Sequence, residues 1–136
     1  MDKELIEKAI EMALGVRELA YAPYSNFKVG AAIVTKDGKI FTGCNVENAS
    51  YGLTICAERS AIFKAVSEGK RDFSSLIVVT DTEEPAAPCG ACRQVIREFS
   101  KDLEIIMVNL KGKRVIKSLE ELLPESFGPE DLLMNH

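Results

Sequence analysis

Three cysteines stand at spacings that suit a single metal ion. Cys56 opens the run Cys56-Ala57-Glu58-Arg59, and Cys89 and Cys92 lie within Pro88-Cys89-Gly90-Ala91-Cys92-Arg93-Gln94. Together they offer three thiolates. Three protein ligands with a fourth position left to water is the donor set of a catalytic zinc, here one Zn²⁺ per subunit. Glu58 follows Cys56 by two residues, so it falls within reach of the same ion. A carboxylate so placed can take a proton from water and pass it on. Three thiolates leave the zinc site net negative, which makes a bound water less acidic. Arg59 and Arg93 each adjoin a motif residue and could offset that charge by hydrogen bonding to sulfur, Arg59 foremost because it is next to Glu58. Lewis acid, water and proton carrier are the set needed to add hydroxide to an amidine-like carbon and expel ammonia.

Other uses of these cysteines differ in what they ask of their neighbours. A Cys-x-x-Cys pair also serves redox chemistry, and a fourth thiolate from Cys44 would close a structural zinc site. Cys44 shares a strand face with Thr42 and Val46, a pattern of ordinary core packing. Glu58 separates the catalytic from the structural reading, because a closed site has no use for a carboxylate beside an open position. The only histidine is the last residue, His136. The metal is therefore expected to be held by sulfur, and a histidine-based triad is excluded.

Composition narrows the setting. A chain of 136 residues, 46% hydrophobic, makes one domain with a substantial core, spanning residues 1–136. The net charge of −4, with both signs mixed along the chain, argues against a nucleic-acid partner. No stretch is long enough to cross a membrane, and the first residues lack the basic start and apolar run of a signal peptide. A soluble, cytoplasmic protein is expected, where this cysteine spacing binds metal more often than it forms disulfides.

The elements that must position the site follow from periodicity. Leu5, Ile6, Ala9, Met12, Ala13, Val16 and Ala20 recur at helical spacing, so residues 1–20 form an amphipathic helix ended by Ala22-Pro23-Tyr24-Ser25. Residues 27–35 and 39–46 read as a hairpin around Asp37-Gly38, followed by a loop over 47–53. A helix from 54–56 to 68 carries the first cysteine motif and stops at Gly69. The apolar run 76–80 predicts a buried strand, 89–99 a helix bearing the second motif, and 104–109 another buried strand. Lys111-Gly112-Lys113 turns into a short strand over 114–117, and Ser118 caps a brief helix over 119–123 before Pro124. Five strands with helices interleaved predict a three-layer α/β/α sandwich on a mixed sheet. Both cysteine motifs then sit at helix starts, where partial positive charge favours thiolate over thiol.

Four segments are similar to the small, homotetrameric zinc-dependent cytidine deaminases. They are Phe27-Lys28-Val29-Gly30-Ala31-Ala32, Gly43-Cys44-Asn45-Val46-Glu47-Asn48-Ala49-Ser50-Tyr51 and the two cysteine motifs. The resemblance runs in order from Tyr21-Ala22-Pro23-Tyr24-Ser25 to Glu121-Leu122-Leu123-Pro124. It implies Zn²⁺ on Cys56, Cys89 and Cys92, Glu58 as proton shuttle, and Asn45 and Glu47 as hydrogen-bonding partners of the ribose hydroxyls. Positions i and i+2 of a strand point the same way, which suits that pair, and Val46 between them would meet substrate through its backbone. Phe27 would lie against the base, and Tyr51 and Phe127 would act across a subunit boundary. Phe27 and Phe127 as core residues, and Asn45 as a strand end, are the plainer alternatives. The activity implied is hydrolysis of cytidine and 2′-deoxycytidine to the uridines and ammonia, by a zinc-activated hydroxide, within pyrimidine salvage. The assembly implied is a homotetramer with active sites completed across subunits. Blasticidin-type deaminases share the zinc motifs but are not expected to carry Asn45-x-Glu47, and a polynucleotide deaminase should be more basic. A non-enzymatic, zinc-stabilised interaction protein would leave Glu58 without a purpose.

Overall fold

The computed structural model describes residues 3–133. Helix α1 spans Lys3–Arg17, strands β1 and β2 span Val29–Thr35 and Ile40–Cys44, and helix α2 spans Ala57–Ser67. Strand β3 is Phe73–Thr80, α3 is Gly90–Phe99, β4 is Glu104–Asn109 and β5 is Arg114–Ser118. Two short helices follow, α4 at Leu119–Leu122 and α5 at Glu130–Leu133. The five strands form one sheet in the order β2-β1-β3-β4-β5. Only β3 and β4 run parallel, with Leu76 opposite Ile105, and α3 makes the crossover between them. The expected mixed five-stranded sheet is what forms.

Alternation along the strands splits the core in two. Ala32, Val34, Ile77, Val79, Ile106 and Val108 face α1 through Ala9, Ile10 and Ala13. Ala31, Ile33, Leu76, Val78, Ile105 and Met107 face the other way, against Ala57, Ala61 and Ile62 of α2, Ile96 of α3 and Leu119 of α4. Two glycines set how closely the helices approach. A Cβ on Gly30 would stand 2.1 Å from the Ala13 carbonyl oxygen, and one on Gly43 would stand 2.4 Å from the Ala61 nitrogen. The helix bearing the first cysteine motif therefore rests on bare β2 backbone.

Several boundaries differ from the sequence pattern. The first helix ends at Arg17, short of residue 20, and the first strand begins at Val29 rather than at 27. There the Asn45 side chain takes the place of ladder partners. Its Oδ1 accepts from Val29 N at 2.9 Å and its Nδ2 donates to Phe27 O at 2.8 Å. The second strand stops at Cys44 instead of 46, and Cys44 is half-buried beside an exposed Val46 rather than packed in the core. The third strand starts three residues early, at Phe73, because Phe73 and Ser75 pair with Thr35 and Val34 of β1. Ser118 caps α4 as expected, within a reciprocal capping box with Glu121.

Candidate active site

Cys56 and Cys89 are the N-cap residues of α2 and α3, and neither thiol spends itself capping its own helix. Both sulfurs are thus free to turn toward each other at the positive ends of two helices. The Cys56 and Cys89 sulfurs are 3.8 Å apart, the Cys89 and Cys92 sulfurs 3.3 Å, and all three lie within 4.8 Å of one another. Zinc–thiolate bonds of about 2.3 Å at tetrahedral angles put sulfurs about 3.8 Å apart, so the set fits a zinc ion. Cys92 is buried beneath it, Cys56 half-buried and Cys89 exposed. Cys44 is not part of the cluster, which disposes of a four-cysteine site built from it. His136 lies outside the described residues.

Charge within the cluster is uneven. The Cys56 thiol is brought down to about 5, by a hydrogen bond from Cys92 first and by the Arg59 guanidinium as well. Cys92 moves upward, because it shares its proton with Cys56 and is desolvated. Arg59 Nη2 donates to Cys56 Sγ at 3.4 Å. Arg93, the other candidate, is committed elsewhere, its Nε to Pro88 O at 2.8 Å and its Nη1 to Leu122 O at 2.9 Å.

A cavity of about 210 Å³ opens beside the sulfurs. Its walls include Phe27, Val29, Asn45, Thr54, Ile55, Cys56, Glu58, Val78, Thr80, Ala86, Ala87 and Cys89. Glu58 is 5% exposed, in the first turn of α2. Burial, and secondarily the charge of Cys56, raise its carboxyl from 4.5 to about 7. A carboxyl with that affinity both gives and takes protons near neutral pH. Phe27, read from the sequence as either base contact or core, is 42% exposed and forms part of this wall rather than of the core.

The remaining candidates are distributed around the cavity. Asn45 is buried and lines it, with its side chain bonded to the backbone of Phe27 and Val29. Glu47 lies in an adjoining hollow with Tyr24, Ser25, Asn48, Tyr51 and Thr54, and Thr54 is common to both spaces. The shared strand face expected of Asn45 and Glu47 is replaced by two neighbouring compartments, because β2 ends before them. Val46 makes a backbone bridge with Ile55, N–H to O at 3.0 Å in both directions, which leaves its side chain as the exposed part. Tyr51 and Phe127, 78% and 57% exposed, do not line the metal-side cavity of their own chain.

Sequence reasoning passed over two features here. Ser25, read only as a helix terminator, hydrogen-bonds to Glu47. Arg97, 3% exposed, bonds to Ser126 Oγ at 2.7 Å and pairs with Glu130, while Gly128 packs on its guanidinium. Gln94 Nε2 also donates to Phe127 O at 2.9 Å, so α3 holds the C-terminal segment from two points. A charged residue one position from the apolar stripe of a helix gives no sequence signal of such a cage.

Residues 3–108 match the family model described as the cytidine and deoxycytidylate deaminase zinc-binding region. A cytidine deaminase of Sporosarcina psychrophila is 52% identical over 93% of this chain and 94% of its own length. One from Halalkalibacterium halodurans is 50% identical over 97% and 98%. A crystal structure of cytidine deaminase from Burkholderia pseudomallei superposes with a TM-score of 0.87 at 53% identity, covering 93% of this chain and all of that one.

Proposed function

The chain belongs to the cytidine and deoxycytidylate deaminase family, and from that premise we propose that it hydrolyses cytidine and 2′-deoxycytidine to uridine and 2′-deoxyuridine with release of ammonia. The observation that carries this reading is the placement of the buried Glu58 and two of three convergent cysteines on one cavity wall. A zinc ion held by Cys56, Cys89 and Cys92 would supply Lewis acidity, making water nucleophilic at neutral pH.

The chain's own groups then account for the proton traffic. Glu58 takes a proton from the attacking water as the C4–O bond forms and delivers it to N3 of the ring. It next removes the proton of the new C4 hydroxyl and hands it to the amino nitrogen. The C4–N bond breaks, ammonia leaves, C4 becomes a carbonyl, and Glu58 returns to its starting state. Its raised proton affinity suits both halves of this shuttle. Arg59 offsets the thiolate charge from Cys56. Phe27 offers a ring wall for the base. Asn45 and Glu47 supply polar groups toward the sugar, and the exposed Val46 side chain stands between them.

The exposed rings of Tyr51 and Phe127 support a homotetramer in which neighbouring subunits complete each site. No helix among the described residues is long and apolar enough to cross a membrane. The reading is of a cytoplasmic enzyme of pyrimidine salvage that acts on free nucleosides. The test is the fall in ultraviolet absorbance on incubation with cytidine, before and after zinc removal under reducing conditions, together with metal analysis. Chelator-sensitive turnover with one zinc per chain and an all-sulfur protein ligand set by X-ray absorption is expected. Turnover that persists without metal, or nitrogen from His136 in the coordination sphere, would overturn the reading.

A further inference from the structure

Glu47 is already heavily occupied within its own chain. Its Oε1 accepts from the backbone amides of Tyr24 at 2.9 Å and Ser25 at 3.1 Å, and its Oε2 accepts from the Ser25 hydroxyl. A carboxylate has about four acceptor positions, so one is left, on the oxygen that Ser25 holds. Glu47 lines the hollow with Tyr24, Asn48, Tyr51 and Thr54, and Thr54 also lines the metal-side cavity. The same Ser25 oxygen accepts the Phe27 N–H at 3.0 Å. Between them Asn26 sits at φ +59°, a left-handed conformation uncommon outside glycine. Ser25 therefore holds a left-handed turn with one wall residue at each end.

We propose that Ser25 is a positioning residue for substrate selection: its hydroxyl orients the Glu47 carboxylate so that Oε2 presents a single remaining acceptor to a ring hydroxyl of the sugar. This rests on Glu47 being the sugar contact. Two amides on Oε1 alone leave the carboxylate free to swing about that oxygen. The Ser25 bond removes this freedom, and preorganisation of an acceptor of this kind acts on substrate binding more than on the chemical step.

The test compares cytidine with 2′,3′-dideoxycytidine, which keeps the base and the 5′-hydroxyl but lacks both ring hydroxyls. Ser25 is exposed, so its substitution leaves the core untouched. In S25A the ratio of kcat/KM for cytidine to that for dideoxycytidine is expected to fall about three- to tenfold, mainly through KM for cytidine. S25T, which keeps a hydroxyl, should restore the ratio, and S25A added to E47Q should lower it no further. An S25A enzyme that loses activity on both nucleosides equally, with E47Q still lowering the ratio, would make Ser25 a loop-stabilising residue only and overturn the proposal. If E47Q itself leaves the ratio unmoved, the sugar-contact reading beneath it fails as well.

Discussion

Glu58→Gln should make the metal-free protein more stable while removing its activity, and the size of the stability change can be worked from the site. Glu58 is 5% exposed and its carboxyl is raised from 4.5 to about 7, with desolvation the leading cause. The folded chain therefore holds this proton more tightly than the unfolded chain. Stability from this group is fully present below 4.5, where both states are protonated, and is lost as pH rises through about 7. At 1.36 kcal/mol for each tenfold change in proton affinity, the loss is about 3 kcal/mol by pH 8. Glutamine has no proton to lose, so E58Q escapes the penalty. Urea titrations of chelator-treated, reduced protein at pH 4, 6 and 8 should show E58Q and parent close at pH 4. A gap in favour of the variant should open to at most about 3 kcal/mol at pH 8. A gap that does not change with pH, or a variant less stable than the parent at pH 8, would show that Glu58 is not a desolvated acid. Turnover of the zinc-loaded variant should fall by about 10²–10⁴-fold or more, and activity within tenfold of the parent would remove Glu58 from the mechanism.

Arg59→Ala removes the donor at 3.4 Å from Cys56 Sγ and the positive charge beside the thiolates. Zinc affinity in competition with a chromophoric chelator should drop by about 10–100-fold, and parent-like affinity would refute charge compensation. Gly43→Ala places a Cβ 2.4 Å from Ala61 N and 2.6 Å from Ala57 O, so α2 must shift bodily. About 1–3 kcal/mol or more of stability should be lost in urea, together with zinc content, because α2 carries Cys56 at its N-cap; unchanged values for both would disprove the close approach. Cytidine should be turned over far better than free cytosine or cytidine monophosphate, since unpaired polar groups disfavour the first and carboxylate repulsion the second. Glu47→Ala should raise KM for cytidine by about 10–100-fold and narrow its advantage over cytosine, whereas equal turnover of the two by the parent would exclude a sugar clamp.

What could be read from the sequence is what local chemistry determines. Gly38, Gly69 and Gly112 all have positive φ, at 87°, 86° and 90°, at the turns where glycine was the signal. Cys56 and Cys89, 33 residues apart, each cap a helix. A motif at a helix start shows which sulfurs can serve as ligands, so the ligand set was legible, although the approach of Cys56 to Cys89 is itself a tertiary contact. The surroundings of Glu47 were not. Alternation along a strand put Asn45 and Glu47 on one face, yet the strand ends at Cys44 and each side chain turns back to bind the backbone of residues 24–29. These bonds join positions 16–23 residues apart, and no periodicity records them. The Arg97 cage is of the same kind, with its partners about 30 residues downstream. Which sulfurs can hold a metal is written in two local motifs, while the placement of Asn45 and Glu47 depends on a loop that only the folded sheet brings into reach. Substitutions at Ser25 or Asn45 should therefore alter which nucleoside is chosen well before they alter whether zinc is held.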